Sequence, residues 1–190
     1  MTSDKLTKHW RQCYGIEPRA HDLRSAWPDR WLRIHGLPDG KRYPETPEEY
    51  SVVLHRHNEA LSALLPAGTQ VILVTTGDSL AENPAPVQDG ELQHPAAWHW
   101  TTILIDPDDP LSNFWHLYAR GIVWQPGILD AALRRVADWE SMNVIIIGVA
   151  QRVAYHPYDG GADIITRDKR QRDSLRNRFR DWLPPLPIGL

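Results

Sequence analysis

The sequence predicts one α+β domain, in which helices pack on a central sheet that is mostly antiparallel. Three observations predict this class. The length of 190 residues suits a single domain. Hydrophobic residues form 42% of the chain and include nine tryptophans, enough for a buried core. Several predicted strands follow one another across short turns, as antiparallel strands do. We therefore expect one domain over residues 1–190, with a long loop at 77–97 and an extended tail at 184–190.

The N-terminal region contains a predicted helix and a short strand. Leu6, Trp10 and Cys13 recur at helical spacing, which predicts a helix over residues 2–14. An aromatic and basic segment follows, and within it Trp31–His35 is expected to form a strand.

A capping box opens the second helix. Thr46 stands at the N-cap position, Pro47 at N1 and Glu49 at N3, and the helix is expected to run to about Leu65. Its apolar stripe includes His57. A histidine there can serve as a base or a metal ligand, but a buried imidazole with one hydrogen-bond partner is the commoner arrangement, and we expect that structural role.

Three strands are predicted in the middle of the chain. Residues 70–76 are rich in β-branched side chains, which favour a strand. Residues 98–105 and 114–124 are expected to pair as an antiparallel hairpin with a longer loop, bulged near Gly121. The segment 77–97 has no periodicity, and a loop of this length is often functional.

The remaining elements are a helix, a central strand, a hairpin and a basic helix. Their expected ranges are 126–139, 143–149, 150–156 with 162–166, and 168–183. The first of these helices is expected to turn both Ile128 and Trp139 toward the core. The hairpin turn is predicted from Asp159, followed by Gly160 and Gly161 at positive φ.

Composition restricts the classes of function. Cys13 is the only cysteine, so no internal disulfide and no cysteine-based metal cluster can form. Residues 1–5 are polar, which predicts no signal peptide, and the aliphatic run 144–150 is far short of the ~20 residues that cross a bilayer. We expect a cytoplasmic protein with no membrane partner.

No motif in the chain specifies a catalytic activity. Nucleophile elbows, P-loops and dinucleotide-binding glycine patterns are absent, so the sequence predicts no catalytic residues, no cofactor and no metal site. Asp159 and Asp163 form a candidate carboxylate pair for acid–base work or metal binding. The alternative is that Asp159 only supports the hairpin turn, and we favour it because the adjacent glycines need such a turn.

Three further histidines fall on predicted strands, namely His99, His116 and His156. If Ile105 pairs with Phe114, then His116 opposes Ile103, and the three imidazoles could share a pocket. That register is one of several that the sequence permits, so no metal site is inferred from it.

The C-terminal helix is basic. Residues 167–182 carry seven Lys or Arg against three Asp, a local excess of four positive charges, whereas the whole chain has a net charge of −3. The helix could lie along nucleic-acid phosphates, or it could be an ordinary solvated face. The negative net charge favours the solvated face, so a nucleic-acid binder is the third hypothesis.

Three segments resemble a known family. They are 33–46, the Tyr-Asp-Gly-Gly-Ala-Asp stretch within 155–163, and the helix 172–183 ending in Trp-Leu before a Pro-Ile-Gly tail. They are similar to an uncharacterised family of small bacterial proteins that carry a domain of unknown function. The resemblance covers most of the chain, transfers no catalytic role, and implies a possible place among immunity proteins that accompany polymorphic toxins.

The tryptophan content favours a binding surface. Trp and Arg dominate the energetics of protein interfaces, and nine tryptophans exceed the needs of one core. The tentative binding residues are Trp27, Arg30, Trp31, Arg33, Arg42, Tyr158, Asp159 and Asp163. The leading hypothesis is a non-catalytic protein-binding domain of the immunity or antitoxin type, whose partner is a protein such as a toxin. The second is a small hydrolase that uses Asp159, Asp163 and nearby histidines.

Overall fold

A seven-stranded sheet, antiparallel at every pairing, organises the described part of the chain. The computed structural model describes residues 1–84, 96–106, 108–109 and 112–185. The strands are β1 (Trp31–His35), β2 (Gln70–Ser79), β3 (Trp98–Leu104), β4 (Phe114–Val123), β5 (Ile145–Gly148), β6 (Val153–Tyr158) and β7 (Gly161–Ile165). They lie in the order β1-β7-β6-β5-β2-β4-β3. The predicted α+β class is confirmed.

Helices cover both faces of the sheet. They are α1 (Ser3–Cys13), α2 (Leu23–Ala26), α3 (Pro47–Leu64), α4 (Asp130–Ala137) and α5 (Lys169–Arg178). Ile146 of β5 packs in the cluster beneath α3, α4 and α5, while its neighbours Ile145 and Ile147 pack in the cluster beneath α1 and α2. Since successive side chains of a strand point to opposite faces, the two clusters sandwich the sheet. Residues 143–149 therefore contain the central, doubly buried strand that the sequence predicts.

The start of α3 follows its capping signal with one shift. The Thr46 side chain accepts a hydrogen bond from the Glu49 N–H at 3.3 Å, as predicted. The Glu49 carboxylate, however, accepts from the N–H of Glu45 at 2.7 Å, one residue before the expected donor. The cap thereby fixes the segment that leads from β1 into α3.

The hairpin of β6 and β7 depends on one close backbone approach. A Cβ at Gly161 would lie 2.0 Å from the carbonyl oxygen of Ile34 on β1, so only glycine fits there. Gly161 has a φ of +152°, whereas Gly160 is absent from the positive-φ positions of the described chain. The prediction that both glycines supply positive φ is therefore wrong for Gly160.

The hairpin of β3 and β4 pairs one residue away from the expected register. Leu104, not Ile105, lies opposite Phe114, and Thr102 lies opposite His116. The irregularity is in β3, between residues 99 and 101, whereas β4 pairs continuously with β2 through Gly121. The one-residue difference is already present at Leu104 and Phe114, next to the connection, and the extra residue in β3 adds a second shift that places His99 opposite Tyr118.

The helix predicted over 126–139 is shorter than expected. Its regular part is α4, and both Ile128 and Trp139 are exposed instead of facing the core. The chain leaves the helix after residue 137, and Trp139 adopts a left-handed φ of +64°. Helical spacing therefore no longer applies at this tryptophan.

Two boundaries differ at the ends of other elements. β2 continues to Ser79, so three residues of the predicted 77–97 loop belong to the strand. Residues 85–95 of that loop lie outside the described ranges. The last helix ends at Arg178 and is followed by a 3₁₀ turn, Arg180–Trp182. In the predicted tail, residues 186–190 also lie outside the described ranges.

Candidate functional site

Three polar side chains line up across neighbouring strands at one end of the sheet. Arg33 on β1 lies opposite Asp163 on β7, which in turn lies opposite His156 on β6. Arg33 donates from Nε to Asp163 Oδ1 and from Nη2 to Oδ2, each at 2.7 Å. Trp31 adds a third bond, from its indole N–H to Oδ1 at 2.9 Å. The carboxylate is thus held on the face that α1 and α2 cover.

A second ion pair lies beside the first. Arg42, in the segment between β1 and α3, donates from Nε to Asp159 Oδ2 at 2.6 Å and from Nη2 to Oδ1 at 3.2 Å. The Asp159 side chain is buried, while that of Arg42 is 57% exposed. The turn residue predicted for β6–β7 therefore also anchors the segment that follows β1.

Tyr158 packs between the two ion pairs. The Arg33 guanidinium carbon lies 4.8 Å from the centroid of the Tyr158 ring, a cation–π distance. Burial raises the pKa of Tyr158 to about 12, against the opposing effect of the Arg33 charge. The phenol therefore stays protonated at neutral pH.

His156 is fixed in one tautomer. Its Nδ1 lies 2.9 Å from the carbonyl oxygen of Val144, so Nδ1 carries the proton and donates it. Burial lowers the pKa of His156, which keeps the imidazole neutral. Nε2 is left as a hydrogen-bond acceptor.

These groups line a pocket of about 290 Å³ whose rim is aromatic and apolar. Trp139 and Met142 lie on its wall, and both side chains are exposed. They belong to the connection between α4 and β5, which Asn143 anchors by accepting from the Ala20 N–H at 2.8 Å and donating to Pro18 O at 3.2 Å. The rim is therefore carried by a connection that is hydrogen-bonded into the fold.

The structure brings together most of the predicted binding residues. Around the pocket it gathers Trp31, Arg33, Arg42, Tyr158, Asp159 and Asp163. Trp27 and Arg30 lie elsewhere. Arg30 stacks on Trp27 at 4.7 Å and donates to the carbonyl oxygens of Thr166 at 2.6 Å and Cys13 at 3.1 Å. These two side chains tie α1 to the end of β7 and do not reach the pocket.

The candidate carboxylate pair is engaged by cations. Asp159 and Asp163 line one pocket, as acid–base partners would, but each is held by both donors of an arginine edge. In both pairs two arginine nitrogens bind the two carboxylate oxygens, which fixes the orientation of each carboxylate. Within the described ranges no cluster of three or more metal-ligating side chains occurs.

His57 has the structural role expected of it. Its Nδ1 lies 2.6 Å from the hydroxyl of Tyr155 in the core. Burial lowers the pKa of His57 to about 4, so the ring is neutral.

The three strand histidines divide between two places. The ring centroids of His99 and His116 lie 6.3 Å apart. His156 is on the other face of the sheet, and β5 and β2 lie between its strand and that of His116. Thr102 Oγ1 bridges His99 Nε2 and His116 Nδ1 at 3.0 and 2.9 Å, and Ser79 Oγ lies 2.8 Å from His116 Nε2. The sequence gives no signal for this polar chain, because its members come from three strands.

Some cationic side chains of the basic C-terminal segment are paired with neighbouring acids. Among the described residues, four of its cationic side chains form ion pairs: Arg167, Arg172, Arg178 and Arg180. This arrangement favours the solvated-face interpretation over a phosphate-binding one.

The fold and the pocket define an α+β domain with an aromatic rim above paired arginines and aspartates. Residues 19–187 match a family model described as a domain of unknown function, DUF3885, and the chain belongs to this family. The matched range contains the whole sheet and every residue of the pocket. Searches of curated proteins and of solved structures found no match. In the described part of the chain, none of the helices has both the length and the apolar character needed to cross a bilayer.

Proposed function

We propose that this chain is a non-catalytic protein-binding domain that captures a partner protein on the Trp139 surface. That surface consists of Arg42, Tyr43, Trp139 and Met142, all exposed at or beside the pocket. Arg42 connects its two sides, because it lines the pocket and also lies 5.5 Å from the Tyr43 ring centroid.

Trp139 is the observation that carries the proposal. Its side chain is 62% exposed and its φ is +64°, a conformation that costs a bulky residue about 1–2 kcal/mol. Strained residues of this kind cluster at binding and active sites. Covering the exposed part of the indole would remove about 100–150 Å² from water, which contributes about 2.5–4 kcal/mol to binding.

Arg42 supplies a polar contact next to this anchor. Two of its nitrogens bind Asp159, and the bond from Nε at 2.6 Å fixes the guanidinium in place. Its remaining nitrogen, Nη1, has no hydrogen-bond partner among the described residues. An arginine that is already ordered loses little side-chain entropy when a partner carboxylate binds it.

The finer part of the proposal is that the partner is a toxin and the chain an immunity or antitoxin-type protein of a bacterial cytoplasm. Its support is the resemblance of residues 33–46, 155–163 and the C-terminal helix to an uncharacterised family of small bacterial proteins, together with the place beside polymorphic toxins that this resemblance implies. The saturated carboxylates of the pocket agree with it, because neutralisation requires a shaped surface and no chemistry.

The test is binding to a defined neighbour. The chain is co-expressed with each protein encoded beside its gene, complexes are isolated by size exclusion, and affinities are measured by calorimetry. Trp139→Asn should weaken binding by about 30-fold or more, since it removes the anchor while asparagine accepts the left-handed backbone. Ile128→Ala is the matched control, an exposed apolar residue near the other end of α4, and should change affinity less than twofold.

The immunity role further requires that the wild-type chain, and not Trp139→Asn, suppresses the toxicity of the partner. Equal affinity of Trp139→Asn and of Ile128→Ala for the partner, or no complex with any neighbour, would contradict the proposal.

A small hydrolase is the second candidate, favoured by one observation. Asp159, Asp163 and His156 all line the same pocket. If it were correct, Asp163→Asn would abolish hydrolysis of an ester or phosphoester panel while Glu59→Gln, on the surface of α3, would not. Absence of hydrolysis by the wild-type chain across the panel removes this candidate.

A further inference from the structure

A second pocket, of about 630 Å³, lies between the turn that follows β1 and the turn that follows α5. Leu37, Trp182 and Leu183 form apolar walls, and Arg56 of α3 brings a guanidinium to it. Asp39 and Asp181 line the same pocket and are both exposed. Its residues differ entirely from those of the pocket beside Trp139.

Arg56 is a buried cation without an acidic partner in the described part of the chain. Only 8% of the residue is exposed, and its Nη1 donates to the carbonyl oxygen of His35 at 2.9 Å. The guanidinium carbon lies 5.2 Å from the Trp182 ring centroid. Burial lowers the pKa of Arg56. Nε and Nη2 of Arg56 are not among the fully buried unpaired polar atoms of the described chain, so both donors are open to the pocket.

The other arginines show what the free edge of Arg56 is suited to bind. Arg33 and Arg42 each use Nε and Nη2 to hold a carboxylate with two bonds. In Arg56 the same two nitrogens have no hydrogen-bond partner among the described residues, and the side chain lines the pocket. Two donors at this spacing match the two oxygens of a carboxylate.

We propose that this pocket binds a carboxylate, held by two parallel hydrogen bonds from Nε and Nη2 of Arg56. Trp182 supports the guanidinium from its ring face, and Leu37 contacts the apolar part of the ligand. The carboxylate belongs to a small free acid or to the C-terminus of a peptide. Asp39 and Asp181 repel a doubly charged phosphate more strongly than a singly charged carboxylate, so phosphate should bind more weakly. This ligand site is separate from the proposed function, and either can fail without the other.

The direct test follows the Nε–H resonance of Arg56 by ¹H–¹⁵N NMR on the wild-type chain. The probes are acetate, N-acetyl-dialanine with a free carboxylate, the same dipeptide as its amide, and inorganic phosphate. Both acids should shift the resonance in a saturable way, with a Kd near or below ~1 mM for one charge-assisted pair, whereas the amide should not and phosphate should bind more weakly. A tighter Kd for acetate indicates a small acid, and a tighter Kd for the dipeptide indicates a peptide end. No shift with either acid at about tenfold that concentration, or an equal shift with phosphate, would overturn the assignment.

Two variants then test the residue. Arg56→Gln should weaken binding of the preferred acid by at least about tenfold, because both charged donors are lost. Arg178→Gln is the matched control, since Arg178 also lies 5.2 Å from an aromatic ring but pairs with Glu59 on the surface. It should leave the affinity unchanged. Equal effects of the two variants would contradict the proposal, and if Arg56→Gln fails to fold, the wild-type titration alone decides.

Discussion

The Arg33–Asp163 pair should be strongly coupled in the free energy of unfolding. Its side chains are 15% and 6% exposed, and two bonds of 2.7 Å join them. Asp163→Asn leaves a nearly buried guanidinium without its counter-charge, a change that costs about 3–5 kcal/mol. Arg33→Gln leaves the carboxylate with the weaker support of the Trp31 indole N–H, and should cost about as much.

A double-mutant cycle isolates the interaction from these single losses. The variants are Arg33→Gln, Asp163→Asn and the pair of substitutions together, each unfolded in urea at pH 7. Because the double variant leaves no charge unpaired, it should lose less than the sum of the singles, giving a coupling of about 2–3 kcal/mol.

The control cycle uses the Arg178–Glu59 pair, which is 53% and 44% exposed and should show a coupling below about 0.5 kcal/mol. If the Arg33–Asp163 coupling is no larger than that of the control, the pair does not organise the pocket, and Asp163 is available for acid–base chemistry.

Three other changes have defined outcomes. Gly161→Ala should unfold the chain at room temperature or lower its free energy of unfolding, measured in urea, by more than about 4 kcal/mol, because the new Cβ would lie 2.0 Å from the Ile34 carbonyl oxygen. Near-native stability would show that the hairpin can move away from β1. Burial lowers the pKa of His57 to about 4, so the ring stays neutral in the folded chain, while in the unfolded chain it gains a proton below about pH 6.5. The contribution of His57 to the free energy of unfolding is therefore fully present above pH 6.5. It falls by roughly 3 kcal/mol as the pH drops toward 4. His57→Gln should remove that share of the slope of stability against pH, and an unchanged slope would assign the acid sensitivity to other groups. Trp139→Asn should change the free energy of unfolding by less than about 1 kcal/mol, because relief of the left-handed backbone offsets the packing lost from a mostly exposed indole. A loss of about 3 kcal/mol or more would mean that the tryptophan belongs to the core.

The sequence predicts the elements whose signals are local. The strand Trp31–His35 has the predicted bounds, and the Thr46 cap opens α3 where expected. The turn predicted at Asp159-Gly160 joins β6 to β7, also where expected. In each case the controlling group, whether cap, proline or glycine, lies within a few residues of the structure that it controls.

Errors occur where a distant partner or a change of periodicity decides the structure. The β3–β4 register is set at the connection, where Leu104 lies opposite Phe114, and it changes again at an extra residue near His99; no composition rule locates either point. Helical spacing predicts Trp139 in the core, but α4 ends two residues before it and the side chain is exposed. The partners of Asp163 lie more than a hundred residues away along the chain, so the sequence identifies Arg33 and Asp163 as candidates without joining them.

The charge arrangement of the two pockets explains why we assign them different tasks. Acid–base catalysis by the two carboxyl groups would need them free to exchange protons, and in the pocket beside Trp139 they are engaged by Arg33 and Arg42, which leaves His156 Nε2 without a free carboxylate beside it. Engaged charges hold a surface rigid, and a rigid surface lowers the entropy lost when a partner binds. The second pocket has the opposite condition, a buried Arg56 whose bidentate edge has no partner among the described residues. Rigidity under an exposed tryptophan favours docking, and an arginine edge that is open to a pocket favours a ligand that carries a carboxylate.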